Sequence, residues 1–213
     1  MKERPILFSA PMVRAILDGT KTQTRRVCKP AEKAALSLVV DCQHGQFGDE
    51  EGDVLFKSPY GKPGDRLWVR ETWNWFDPIE IPDHRRGSRA PFTGCQGERK
   101  IPWVAAYAAD GNLEHAHLGH ALWRPSIHMP RWASRILLEV TSVRVERLTS
   151  IREADARAEG VAIEDRHMHG YCAGEFLPPA IRAYRDLWES LNGTGSWDAN
   201  PWVWLIEFKR ITA

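Results

Sequence analysis

The stretch ASRILLEVTSVRVERL, Ala133–Leu148, constrains the fold more than any other part of the chain. It reads as one long β run. It leads straight into TSIREADARAEGV, where Ser150 followed by Glu153 matches a capping box and Gly160 marks the end of a helix. A chain with this centre is built from extended strands separated by short helices.

The flanking segments repeat that theme. A short helix is predicted over Pro11–Asp18, with Ser9 or Ala10 before a proline suited to the first turn. Met12, Val13, Ile16 and Leu17 recur at helical spacing, and Gly19 can form the left-handed cap. From Thr22 the chain turns β-like: alternation puts Thr22, Thr24 and Arg26 on one face and Gln23, Arg25 and Val27 on the other. After the turn signal YGKPGDR, the segment LWVRETW would carry Leu67, Val69, Glu71 and Trp73 on one face. Between Phe76 and Arg124 lies a stretch rich in Pro, Gly, His and Arg with one strand at WVAAYAADG, read as a surface insertion. PAIRAYRDLWESLNG is an amphipathic helix with Ile181, Tyr184, Leu187, Trp188 and Leu191 on its apolar side, closed by Gly193. PWVWLIEFKRI is the last strand. No repeat emerges, and this order predicts an α+β fold: a mixed, mostly antiparallel sheet closing into a small barrel with short peripheral helices.

With 213 residues, 43% of them hydrophobic and 27% charged, the chain reads as one folded, soluble domain, residues 1–213. A formal net charge of +1 weakens any reading that depends on broad attraction to a nucleic-acid backbone, although local patches remain open. The N-terminal segment has neither an h-region nor a cleavage site, and no run is long enough to span a membrane, so a cytoplasmic location is expected. Cys28, Cys42, Cys95 and Cys172 form no CxxC pair and are expected to be free thiols. The ten tryptophans are the compositional oddity; several fall in strand-like runs, where core or rim packing is the first reading and base stacking the second.

Three places can carry chemistry. In GTKTQTRR a threonine hydroxyl needs a base, and a lysine can supply one once desolvation lowers its pKa; the same pattern also reads as a turn with solvated basic residues. Glu159 sits at a helix C-terminus, against the negative end of the macrodipole, which is tolerable on a wet surface and informative if a cation such as Lys21 lies opposite. Glu71, if its face is buried, must be paired, most simply with an arginine. The histidine groups His115, His117 and His120, and His167, His169 with Cys172, match no known ligand spacing, so no metal and no cofactor are expected.

Together these residues resemble the ASCH domain family, a PUA-like β-barrel. GTKTQTRR fits its Gly-x-Lys-x-x-Thr-x-Arg signature through Gly19, Lys21, Thr24 and Arg26. PGDRLWV resembles the family's Gly-Asp strand opening, and LLEVTSVRVERL, the helix ending AEG and the strand VWLIEFKRI follow in family order. The resemblance covers nearly the whole chain except insertions near residues 30–60 and 76–125. RPSIHMPRWASRI and SWDANPWVWLIEF resemble the longer ASCH proteins of bacteriophages and prophages. Members similar to the small bacterial N4-acetylcytidine amidohydrolases use a lysine and a threonine of the signature with a glutamate on the helix after the central strand. That implies Lys21, Thr24 and Glu159 as catalytic residues here, with Glu71 as the fallback acid. The implied reaction removes the acyl group from an N4-acylated cytidine-type nucleoside or base. Arg26 would hold the pyrimidine carbonyl or the oxyanion, and Trp132 or Trp73 would stack on the base. The rivals are an RNA-binding PUA-like module using a basic strip at Arg25, Arg26 and Lys29, and a ribonuclease.

Overall fold

The structure, a computed structural model, describes residues 1–42, 46–96, 99–111, 113, 123–168 and 177–211. The chain begins with β1 (Glu3–Leu7), α1 (Ala10–Leu17), β2 (Gln23–Val27) and α2 (Lys29–Lys33). Three short strands follow, β3 (Val40–Asp41), β4 (Gln46–Gly48) and β5 (Leu55–Lys57), then β6 (Arg66–Arg70) and β7 (Trp73–Phe76). Next come β8 (Arg89–Gln96), β9 (Arg99–Tyr107) and the long β10 (Leu137–Arg147). The last elements are α3 (Glu153–Ala158), α4 (Asp165–Met168), α5 (Pro179–Asn192) and β11 (Trp202–Ile211). This is a mixed α+β protein with mostly antiparallel sheets and short helices. Among the described residues no sheet closes into a barrel.

Two compact units form. The first holds Met1–Lys2, Asp18–Asp65 and Glu139–Lys209. In it β10, β11 and β2 adjoin in that order, and β11 runs antiparallel to β2 with Leu205 opposite Arg25 and Trp204 opposite Arg26. The core under these strands is aromatic and aliphatic: Leu148, Ile151, Ile181, Tyr184, Trp188, Trp197 and Val203 are all buried. α5 supplies Ala180, Ile181, Ala183, Tyr184 and Trp188, with Leu187 packed against that cluster. The helical pattern overreaches at Leu191, which is 56% exposed. It lies two residues before the Gly193 stop, where the core has already ended.

The Ser150 capping box does not form. Leu148–Ser150 makes a 3-10 turn, and Arg152 is extended at φ −94°, ψ 162°, so α3 starts at Glu153. Asp155 then accepts a bond from the Arg152 backbone N–H at 3.3 Å, taking the reciprocal position two residues later than the sequence suggests. Within this unit the PGDR turn is tied down by Asp65, whose Oδ1 accepts from Lys2 N–H at 2.8 Å, while Gly64 adopts φ +87°. The stretch near residues 30–60, expected to be an insertion, carries the antiparallel meander β3-β4-β5. Phe47 and Phe56 meet the Trp204 indole edge-on, at centroid distances of 5.0 and 5.7 Å.

The second unit holds Glu3–Leu17, Arg66–Leu138 and the chain from Arg210. Here β1 runs parallel to β6, and β7, β9 and β8 form an antiparallel sheet in that order. The helix expected over Pro11–Asp18 appears as α1, shifted by one residue, and buries Val13, Ala15 and Ile16. LWVRETW is not one strand: it breaks at Glu71, and Leu67, Trp68 and Val69 are all buried, so both faces of β6 are covered. The stretch read as a surface insertion is in fact part of a core. β9 pairs with both β7 and β8, and its Ala105, Ala106 and Tyr107 are at most 1% exposed. Small side chains at 105 and 106 let neighbouring chain approach closely, a pattern that composition alone masks.

Cys28 is buried and Cys42 exposed, and neither is bridged. Burial pushes the Cys28 thiol up to about 11, so it carries almost no thiolate at neutral pH. Peptide mapping after brief iodoacetamide treatment of folded protein should find Cys42 alkylated and Cys28 intact. Equal labelling would mean the first unit opens readily.

Candidate active site

The helix C-terminus builds the site. α3 ends at Ala158, Glu159 still has helical angles, and Gly160 turns the chain at φ +73°. Lys21 runs antiparallel alongside: it forms an isolated β-bridge with Glu159, and Thr22 N–H donates to the Ala158 carbonyl at 2.9 Å. The lysine is therefore held where the helix carbonyls point. Its Nζ donates to the Glu159 backbone oxygen at 2.7 Å and to Glu159 Oε2 at 3.0 Å. The Lys21 side chain is fully enclosed, and that of Glu159 is 3% exposed.

A second cation completes the arrangement. Arg25 Nη1 donates to Glu159 Oε1 at 3.1 Å, so each carboxylate oxygen of Glu159 has its own cation. The other edge of the guanidinium grips Glu146 on β10, through Nη2 at 2.7 Å and Nε at 3.1 Å, and Asp155 Oδ2 lies 3.6 Å from Nη2. Tyr184 on α5 lies beneath, its ring centroid 6.0 Å from the guanidinium carbon. Gln23 Nε2 donates to the Asp155 carbonyl at 2.8 Å. Lys21, Gln23 and Arg25 thus face α3 at every second residue, which is the pleat expected of an extended chain.

Burial decides the protonation balance. Desolvation lowers the Lys21 pKa, outweighing the attraction of Glu159, and the charges of Arg26 and Arg25 push the same way. Desolvation acts against the Arg25 charge too, but Glu159 and Glu146 hold its pKa above the ordinary value. Tyr184 is raised well above a free phenol, first by burial and then by Glu159, so it stays neutral. Of the two cations on Glu159, burial lowers the pKa of the Lys21 amine, while the Arg25 guanidinium stays charged.

The residues singled out from sequence fall in two places. Lys21, Thr24, Arg26 and Glu159 belong to the first unit, and Glu71, Trp73 and Trp132 to the second. Lys21 and Glu159 meet directly. Thr24 is 2% exposed and pairs with Ile206, so the pleat turns its side chain away from the Gln23 and Arg25 face. Arg26 shares the Thr24 face, opposite Trp204, where Phe47 and Phe56 pack.

Glu71 is 1% exposed and finds the arginine its burial demands. Both its oxygens accept from Arg135, at 2.9 and 3.0 Å, and Arg135 also forks onto Asp110 at 2.8 Å. Trp73 is 1% exposed, its ring between those of Trp75 and the half-buried Trp132 at 5.4 and 5.5 Å. Of the supposed basic strip, Arg25 is buried among carboxylates, Arg26 is half-buried and Lys29 is exposed. His115, His117, His120, His169 and Cys172 lie outside the described residues. Among the described residues no group of His, Cys, Asp or Glu is arranged to hold a metal, and no helix is long and apolar enough to cross a membrane.

Arg25, read from the sequence only as part of a basic strip, is the residue whose place beside Glu159 was missed. Its signal was present: the acidic helix EADARAE and Glu146 gather carboxylates that need a second cation, and alternation from Lys21 leads through Gln23 to Arg25. Comparison of the chain with protein-family models, with curated proteins and with solved structures finds no match.

Proposed function

We propose that the Lys21–Glu159 pair is the catalytic centre of an amidohydrolase that removes the acyl group from N4-acylated cytidine-type nucleosides or bases. The observation that carries this reading is the contact itself: an enclosed lysine amine 3.0 Å from an enclosed carboxylate, with desolvation lowering the lysine pKa. Its support from sequence is the ASCH resemblance, which marks the same two residues. On this reading β10, β11 and β2 with α3 and α5 correspond to the core of the PUA-like barrel, and the meander β3-β4-β5 is an elaboration of it.

The neutral Lys21 amine takes a proton from water, and the hydroxide adds to the acyl carbonyl. The C–N bond then breaks, and the proton returns to the departing exocyclic amine through the Lys21–Glu159 pair. The products are the amine and a carboxylate. Arg26 holds the pyrimidine carbonyl. Thr24, turned from the Arg25 face, binds substrate and does not form an ester with it.

The test is incubation with N4-acetylcytidine while the ultraviolet spectrum is followed toward cytidine, with Lys21→Ala as control. Release by wild type and none by the variant supports the assignment. Absence of release by a folded wild type rejects it and favours nucleic-acid binding. Thr24→Val separates the two roles of the threonine. As a binding group its loss should raise KM and leave turnover measurable. Complete loss of turnover, with an acylated wild-type peptide in the mass spectrum, would make Thr24 the nucleophile.

A further inference from the structure

We propose that Arg25 is a positioning residue that lets Lys21 give up its proton, by supplying Glu159 with a permanent counter-charge and fixing the direction of its carboxylate. This rests on the reading of Lys21 and Glu159 as the catalytic pair. A buried lysine beside a lone buried carboxylate has little freedom to deprotonate, because the carboxylate would be left uncompensated in a poorly solvated site. Here Glu159 is not dependent on Lys21. Arg25 Nη1 holds Oε1 at 3.1 Å while Lys21 Nζ holds Oε2 at 3.0 Å. When Lys21 is neutral, the guanidinium still balances the carboxylate, and it cannot itself lose a proton under these conditions.

The fork geometry explains why the residue is an arginine. One guanidinium reaches Glu159 through Nη1 and Glu146 through Nε and Nη2, so the glutamate at the end of α3 is pinned to the neighbouring strand β10. Lysine in its place would keep the charge and lose the bridge. The charged and titratable groups facing this cluster are Glu146 from β10, Asp155 from α3, Glu159 at its C-terminal cap and Tyr184 from α5, while Arg26, on the other face of β2, acts on it through its charge. Removing Arg25 takes a positive charge from beside Lys21 and leaves the Glu159 carboxylate to it, so Lys21 must then hold its proton more tightly.

The experiment uses the full chain with ¹³C-labelled lysine, assigns Lys21 by its absence in Lys21→Met, and follows its ε-carbon shift against pH in wild type, Arg25→Gln and Arg25→Lys. N4-acetylcytidine turnover is measured in parallel. In Arg25→Gln the Lys21 titration should move to higher pH and kcat should fall roughly a hundredfold with less change in KM. In Arg25→Lys the titration should stay near that of wild type while kcat still falls, because the charge remains and the fork is gone. An unmoved Lys21 titration in Arg25→Gln, or a wild-type kcat in Arg25→Lys, overturns the assignment. If Arg25→Gln does not fold, the kcat of Arg25→Lys decides. If wild type fails to hydrolyse the substrate, the amidohydrolase reading falls on its own, and the Lys21 titration alone decides the case of Arg25.

Discussion

On the proposed amidohydrolase reading, Lys21→Met should lower turnover of N4-acetylcytidine by about 10²–10⁴-fold, the usual contribution of a positioned proton-transfer group. Methionine fills most of the volume of the lost side chain. Glu159 keeps its bond from Arg25 at 3.1 Å, so the substitution strands no buried carboxylate and the fold should survive. Lys21→Arg sharpens the test. It preserves the positive charge but cannot deprotonate, so a base role predicts an inactive enzyme and a purely electrostatic role predicts a partly active one. The direction of the pH profile gives a third readout. If the neutral amine is the working form, as proposed, kcat/KM should rise with pH through a pKa below that of an ordinary lysine. A profile that instead falls through that pKa would make Lys21 a cationic stabiliser of the oxyanion.

The same shift fixes a sign for stability. With the folded-state pKa of Lys21 below its unfolded value, the unfolded chain binds more protons between the two, and stability rises with pH across that window. This contribution opposes the common expectation for a lysine in an ion pair. It follows from burial outweighing Glu159.

The sequence shows much of this site and less of the fold, for one physical reason: local signals report contacts that are close in the chain. Gly19 and Gly160 announce their turns, and both adopt positive φ, at +76° and +73°. The helix stop at Gly160 therefore placed Glu159 correctly. Glu71 announced its need for a cation by falling in an apolar run, although nothing local named Arg135, 64 residues away. Arg25 was harder because its partner Glu146 lies 121 residues on, and because Arg26, beside it, fits the family signature. The meander β3-β4-β5 was illegible as structure: two- and three-residue strands carry too few alternations to register. Its position matters all the same. Phe47 and Phe56 pack on Trp204, which pairs with Arg26, so the meander is placed to shape the Thr24 and Arg26 side of β2.

Arg135→Met should be the most destabilising of the substitutions considered, by about 3–5 kcal/mol at pH 7, since it leaves Glu71 buried without its counter-ion. Glu71 loses both of its side-chain bonds to Arg135, at 2.9 and 3.0 Å, and at 1% exposure it has no access to water as a substitute. Asp110 also loses its bonds but is 22% exposed and can be hydrated. The cation further rests 3.9 Å from the Tyr107 ring centroid, a contact that methionine replaces only in part. The pH dependence identifies the cause. Burial already holds the Glu71 carboxyl above its ordinary value, against the pull of Arg135, so the folded state takes up this proton before the unfolded state as pH falls. Its contribution to stability therefore declines as pH rises through that window, and removing Arg135 extends the window upward. Urea denaturation should accordingly show the deficit of Arg135→Met shrinking from pH 7 to pH 5. Adding Glu71→Leu should recover most of the loss at pH 7, because an apolar pair removes the stranded charge. A single variant within about 1 kcal/mol of wild type at pH 7 would mean that Glu71 finds solvent, and that the unit around β7 and β9 is looser than its buried core implies.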